Sequence, residues 1–380
     1  MTLLVACTSA TTPVPETAHD AIVESEVAHE ADAEDAILDI DSVEIDEARL
    51  KLDVHPLDGW TPEEIREAIT TNPAALGSVS FGTPNRGALF NGVAAEASHL
   101  YELVKPDDAW GTRETIDYLN AAIRKVHAAF PDTPPLRLGH ISAKTGGRLR
   151  PHVSHQSGRD VDISFYYTDD SPWYARATKK NFDLPRNWAF VKALITETDI
   201  EIILVDRSIV NLLQKFALDS GEDPFWVRSI FRGFPGQQRP IVRHASGHAT
   251  HFHLRFYNPI AQETARRAGA LLVEAGLIKA RPRIVHYRAK AGDTLGGLAA
   301  RFGTTVEAIQ RENGLRGTTI RQHRTYRIPV VGGAPTSEEA EAANQPLRFP
   351  PRRLPPGVTI ADTRAPSPSH ASLPAPNRVH

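Results

Sequence analysis

The chain has 380 residues, 41% of them hydrophobic and 23% charged, which exceeds the usual single-domain length and gives enough apolar material for a sizeable core. A net charge of -3 argues against a general nucleic-acid binder. The single cysteine, Cys7, excludes an intrachain disulfide framework and any cysteine-based zinc site, and no apolar run approaches the roughly 20 residues of a membrane-spanning helix.

Leu4-Val5-Ala6-Cys7 has the form of a bacterial lipobox. No Lys or Arg precedes Arg49, so the match is either the end of a lipoprotein signal whose charged start lies upstream, the favoured reading, with a lipid anchor expected at Cys7, or an accident of an ordinary N-terminus. Thirteen Asp and Glu fall between Glu16 and Glu47; such a segment cannot bury enough surface to offset its ordering entropy. Residues 1–54 are therefore expected to be a lipobox-like start and an acidic disordered linker, serving as a tether or as an inert arm.

A folded domain is expected over 55–280. Thr61-Pro62-Glu63-Glu64 is a helix start, with an N-cap, proline in the first turn and acids at the positive helix end. Residues 78–92, rich in Gly, Asn and Pro, predict extended pieces and turns. Ile116, Leu119, Ile123 and Val126 recur at helical spacing and predict a long core helix over 112–130. Residues 136–142 are strand-like, and 144–150 form a basic loop. There Lys144, Arg148 and Arg150, together with Arg159, either meet substrate carboxylates or are simply solvated. A polar, aromatic loop spans 169–185, in which Trp173 and Tyr174, with Trp188 beyond it, either stack on substrate or pack. A helix over 188–196, an apolar strand over 200–205 ending at Asp206, an amphipathic helix over 209–218, a Gly/Pro-rich loop over 233–240 and a closing helix over 261–276 follow. Helices around a mainly antiparallel central sheet make the fold class α+β.

Two stretches of this domain concentrate the chemistry. Seven of the chain's 16 histidines are His140, His152, His155, His244, His248, His251 and His253. In PHVSHQSGRDVDIS, His155 precedes Asp162 by seven residues, with Gly158 where the chain can turn before the alternation Val161, Ile163, Phe165. In HASGHATHFHLR, His251 and His253 stand at i and i+2, on one face of a strand, while Leu254 and Phe256 take the other. Imidazole and carboxylate donors with an open position are what a catalytic zinc site uses. A structural metal site or a solvated His-rich loop is the alternative, although structural zinc is normally closed by four ligands, commonly including cysteine. Asp160, two residues before Asp162, shares its direction on an extended chain and is either support for a histidine or a solvated acid.

SHQSGRDVDI over 154–163 and GHATHFHLRF over 247–256 resemble the signatures of the penicillin-insensitive murein endopeptidases, within the wider lysostaphin and D-Ala-D-Ala metallopeptidase group. The resemblance covers roughly 77–256. It implies Zn2+ held by His155, Asp162 and His253, with His152 where some members place a further metal contact and Asp206 where some place another acid. His251 is then the proton shuttle and His248 the group that stabilises the oxyanion, the two roles being exchangeable. Zinc acidifies water and polarises an amide carbonyl, and a histidine titrates near the working pH. The bond implied is the D-alanyl to meso-diaminopimelyl amide of peptidoglycan cross-links.

Arg281-Pro282-Arg283 opens a linker. VHYRAKAGDTLGGLAARFGTTVEAIQRENGL and a later YRIPV then resemble a LysM module over 284–330, a small βααβ fold that binds N-acetylglucosamine-containing glycan. Backbone groups of the turn at Gly292, Asp293, Thr294 and Leu295 are the expected contact, and His323 stands where a glycine commonly turns the chain. Ten of the 29 prolines lie from Pro335 onward, and 331–380 is expected to be a disordered, weakly basic tail. The two resemblances together imply a peptidoglycan endopeptidase of the periplasm or cell envelope, with an outer-membrane lipoprotein as the class that matches Cys7. A wall-binding scaffold with a degenerate metal centre and a D-Ala-releasing carboxypeptidase are the alternatives.

Overall fold

The computed structural model describes residues 55–172, 174–234, 239–279, 283–330, 347 and 349–359. Cys7 and the acidic stretch lie outside the described residues. Contacts divide the chain into two compact units, 1–269 with 347–380, and 270–346.

The first unit opens with α1 (Pro62–Thr71), where Thr61 and Glu64 cap each other's backbone N–H groups in a reciprocal capping box. β1 (Val79–Thr83) and β2 (Arg86–Phe90) form a hairpin. β3 (Val93–Ala94), β4 (Tyr101–Leu103) and β5 (Trp110–Gly111) precede α2 (Arg113–Ala129), the expected core helix. The periodic residues Ile116, Leu119, Ile123 and Val126 are all buried on it. β6 (Leu136–Leu138) is shorter than the strand-like stretch of sequence, and β7 (Asp160–Ser164) carries the first motif. α3 (Leu184–Glu197), β8 (Ile200–Val205), α4 (Arg207–Asp219), α5 (Pro224–Phe231), β9 (Val242–His244) and β10 (His251–Phe256) follow, and α6 (Pro259–Glu274) begins in this unit and ends in the next.

The central sheet has six strands in the order β4-β6-β7-β10-β8-β9. It is mixed. The inner pairings β6-β7, β7-β10 and β10-β8 are antiparallel, but both outer pairings, β4-β6 and β8-β9, are parallel. The mainly antiparallel sheet read from the sequence is thus corrected at its edges. In each case helices intervene, α2 between β4 and β6 and α4 with α5 between β8 and β9, and a helical crossover returns the chain in the same direction.

The sheet has two unlike faces. Val161, Ile163, Phe252, Leu254, Phe256, Ile203 and Val205 belong to the main apolar core with the helices. The alternate residues Asp160, Asp162, His251, His253 and Arg255 share the opposite face with a small apolar cluster of Ile202, Leu204 and Ala245. Trp188 is only 5% exposed and stacks within the core on Phe231, so it is a packing residue rather than a substrate platform. Trp173 lies outside the described residues.

The second unit contains β11 (Arg283–Arg288), α7 (Leu295–Arg301), α8 (Val306–Glu312) and β12 (Thr325–Val330), with the two strands paired antiparallel. This is the βααβ order expected. Leu295, Leu298, Ile309, Tyr326 and Ile328 form its core. His323 turns the chain into β12 at φ +67°, a left-handed conformation that costs a side-chain-bearing residue more than glycine.

Of the 331–380 stretch, residues 349–359 are held against the first unit by Phe349, Arg352 and Arg353. The reading of a patternless tail does not extend to them.

Candidate metal centre

The β7-β10 ladder assembles the site. Asp162 pairs with His253, and two residues further along the same face Asp160 pairs with Arg255. Antiparallel register therefore sets a carboxylate–imidazole pair beside a carboxylate–guanidinium pair. His251 follows on the same face, its Nε2 3.8 Å from Asp162 Oδ1.

His155 arrives from the loop before β7. Its backbone lies at φ +60°, and two bonds hold it there: its N–H donates to Asp160 Oδ2 at 3.1 Å, and its Nδ1 meets the Ile141 carbonyl at 3.0 Å. A carbonyl only accepts, so the proton is on Nδ1 and Nε2 is left as the donor atom for a cation. The turn at Gly158, φ +72°, admits no side chain, since a Cβ would stand 2.9 Å from Leu89 and 3.1 Å from Thr112 N.

His155 Nε2 is 3.1 Å from Asp162 Oδ2, and His253 Nδ1 is 3.0 Å from Oδ1. One donor atom from each of these three residues fits within 4.8 Å of the others. All three are buried, at 0%, 6% and 1% exposure for His155, Asp162 and His253. Burial opposes ionisation of Asp162, but the neighbouring His155 and His253 imidazoles hold its carboxyl well below the usual carboxylate range. For His253, burial opposes protonation and Asp162 overcomes it, raising its pKa. Asp162 Oδ1 has no hydrogen-bond partner among the described residues. Lone pairs brought this close in a dry setting call for a positive charge between them, and this donor set suits zinc.

Asp160 is buried at 1% exposure and accepts two bonds from Arg255, from Nε at 2.7 Å and Nη2 at 3.0 Å. Burial opposes its ionisation, yet Arg255 holds its carboxyl far below the ordinary range. Asp160 is thus internal support for the His155 loop rather than a solvated acid. Arg255 was not singled out from sequence, because its role depends on cross-strand register.

His248 and His251 join the cluster, with ring centroids 5.2 Å apart and His248 5.6 Å from His253. His248 Nδ1 lies 3.1 Å from the Ser246 carbonyl, and His251 Nδ1 lies 3.0 Å from Thr250 Oγ1. Next to His155, His140, His152 and Asp162 form a second group of donors within 4.8 Å, sharing Asp162 with the first. His152 Nδ1 is 3.7 Å from Asp162 Oδ2 and its ring is 4.7 Å from that of His140.

Two other expected positions fall elsewhere. Asp206 caps α4 by accepting from Ser208 N at 3.0 Å and belongs to neither donor group among the described residues. Arg159 is 5% exposed, facing Glu201 at 3.7 Å and donating to the Phe256 carbonyl, so it is internal and does not meet substrate.

The family described as penicillin-insensitive murein endopeptidase matches residues 80–276. The chain belongs to that family. Its endopeptidase domain is joined to a LysM domain matched over 287–329. A stretch of 62 residues is 42% identical to the human protein named LysM and putative peptidoglycan-binding domain-containing protein 2, covering 16% of this chain and 27% of that one. The chain thus spans about a quarter of that relative's length. A murein endopeptidase domain and a LysM domain thus lie in one chain. No helix among the described residues is long and apolar enough to cross a membrane.

In the LysM unit, Asp293 accepts from Lys290 N and Tyr287 OH, and Thr294 caps α7 through Gly297 N. Leu295 is buried at 1% exposure. The side chains of this turn are engaged internally.

Proposed function

We propose that the protein is a zinc-dependent endopeptidase that cleaves the D-alanyl to meso-diaminopimelyl amide of peptidoglycan cross-links, held on glycan by its LysM unit in the periplasm or cell envelope. The convergence of His155, Asp162 and His253 on one buried point carries this reading. Zinc, when bound, supplies Lewis acidity toward the amide carbonyl and acidifies water. His155 Nε2, Asp162 and His253 Nδ1 are the residues that would hold it. His152 with His140 is a further donor pair that shares Asp162 with them.

The protein's own groups divide the remaining work. His251 takes the proton of the attacking water and returns it to the leaving amine. His248 has its Nδ1 proton committed to the Ser246 carbonyl, so its Nε2 donates to the developing oxyanion only as imidazolium. His251→Ala should abolish turnover by removing the proton shuttle, and His248→Ala should lower kcat with little change in KM by removing an interaction made only with the developing oxyanion.

In the LysM unit, the backbone of Gly292, Asp293, Thr294 and Leu295 is the glycan contact, and tethering raises local substrate concentration. Cys7 is the proposed lipid anchor. The test is digestion of cross-linked muropeptides analysed by mass: dimers become monomers with zinc and survive with a chelator. Dimers that survive under zinc-replete conditions favour a binding scaffold, and free alanine released without loss of dimers identifies a carboxypeptidase.

A further inference from the structure

The unit that carries the metal-ligating residues is built from two separated stretches of chain, with the LysM unit between them. The returning stretch is anchored chiefly by side chains. Phe349, 8% exposed, sets its ring 5.7 Å from that of Tyr257. Arg352 Nε donates to Asp199 Oδ1 at 2.8 Å, and Tyr118 OH donates to the other oxygen of the same carboxylate. Arg353 donates to the carbonyls of Ser229 and Arg239, while its own carbonyl accepts from Trp226 Nε1 at 2.7 Å.

These anchors meet needs that the endopeptidase domain has without them. Ser229 lies in the last turn of α5, where carbonyls lack intrahelical partners and carry partial negative charge. Arg353 satisfies one of them at 2.6 Å. The indole N–H of Trp226, a residue only 5% exposed, finds its acceptor in the returning stretch, as a buried indole N–H must. Asp199, at the start of β8, is paired by Arg352 with both groups mostly shielded from water. Burial holds the Arg353 guanidinium below its ordinary pKa, a cost that a loosely associated tail would not sustain.

We propose that residues 349–359 are a structural strap of the endopeptidase domain, so that the LysM unit is held by both of its ends. A module fixed at both ends samples less volume than one trailing on a single linker of equal length, which narrows where bound glycan is presented. The inference rests on the packing of the strap and is independent of the metal and of the bond cleaved.

The experiment introduces a site-specific protease sequence into 331–346 of the full chain and cuts it after folding. The strap is expected to co-elute with the rest of the protein on gel filtration, with the melting temperature unchanged. Cutting the R352A/R353A double variant should release it, with melting lowered by roughly 5–10 °C. A chain ending at residue 346 should melt lower by a similar amount and recover when a peptide of residues 346–360 is added. Separation of the strap from the cut wild-type chain overturns the proposal, as does a chain ending at 346 that melts with the full protein. If that shorter chain does not fold, the cut protein still decides the matter.

Discussion

The endopeptidase domain and the LysM unit handle polar groups in opposite ways. In the first, carboxylates and imidazoles are drawn into the sheet, where Asp160, Asp162, His155 and His253 are each 6% exposed or less. Two cations are called for there: Arg255 supplies one and the donor geometry invites the other. In the LysM unit the charged and hydroxyl groups of the Gly292 turn stay near the surface and bond to their own backbone. The proposed amide-cleaving site needs strong fields away from water, whereas the proposed glycan contact needs only a fixed shape.

The largest break in this contrast is at Asp162. Asp162→Ala removes the carboxylate shared by both donor groups. Bound zinc measured by mass spectrometry should fall to near zero, and dimer cleavage should drop by roughly three orders of magnitude or more, about 4 kcal/mol of lost transition-state stabilisation. Retained zinc with full turnover would exclude the His155, Asp162, His253 site.

Asp160→Asn sharpens the contrast by separating support from ligation. The amide keeps the size of the carboxylate but weakens the hold on Arg255 and on the His155 N–H. Zinc affinity should fall about 10- to 100-fold while all three ligands remain. Competition with a chelator measures it, and turnover should return at high zinc. Stability should fall too, since breaking a buried pair costs about 3–5 kcal/mol. Arg255→Lys should restore part of the stability that Arg255→Met loses.

The cluster of His155, Asp162 and His253 was legible in sequence because each motif encodes its own geometry: His251 and His253 alternate on a strand, and a glycine turn brings His155 back toward Asp162. What sequence did not supply is which strand lies beside which. Register makes Arg255 the partner of Asp160, and crossovers make the sheet edges parallel; neither leaves a local pattern. Asp206 illustrates the reverse error, since an acid at a strand end looked metal-proximal and is a helix cap. The strap was missed for a related reason. Arg352 and Arg353 stand among prolines that usually mark disorder, and their partners Asp199 and Ser229 lie more than 120 positions away in the chain.

Glu114 tests whether a half-buried carboxylate in the endopeptidase domain can do without a close cation. It accepts from the backbone N–H groups of Ile260 and Ala261 at 2.9 and 2.8 Å, at the start of α6. Burial nevertheless pushes its pKa up to about 7. Because the folded value lies above the unfolded one, the folded state binds more protons between about pH 4.5 and 7, and this group's contribution to stability declines as pH rises through that window. Glu114→Gln cannot titrate. The melting temperature of the variant relative to the wild type should therefore rise by a few degrees from pH 5 to pH 7.5, and a constant difference would exclude the raised pKa.

The smallest effect belongs to the LysM unit, and its smallness is the point. Thr294→Ala removes the cap that accepts from Gly297 N at 3.0 Å, costing about 1 kcal/mol. The loss falls on the first turn of α7, next to the backbone proposed to meet glycan. Binding to isolated glycan strands should weaken severalfold, while turnover of small soluble muropeptide dimers, which do not need the module, should stay within error. If soluble turnover falls in step with glycan binding, the module takes part in the chemistry, and the division between a site of strong fields and a surface of fixed shape does not hold.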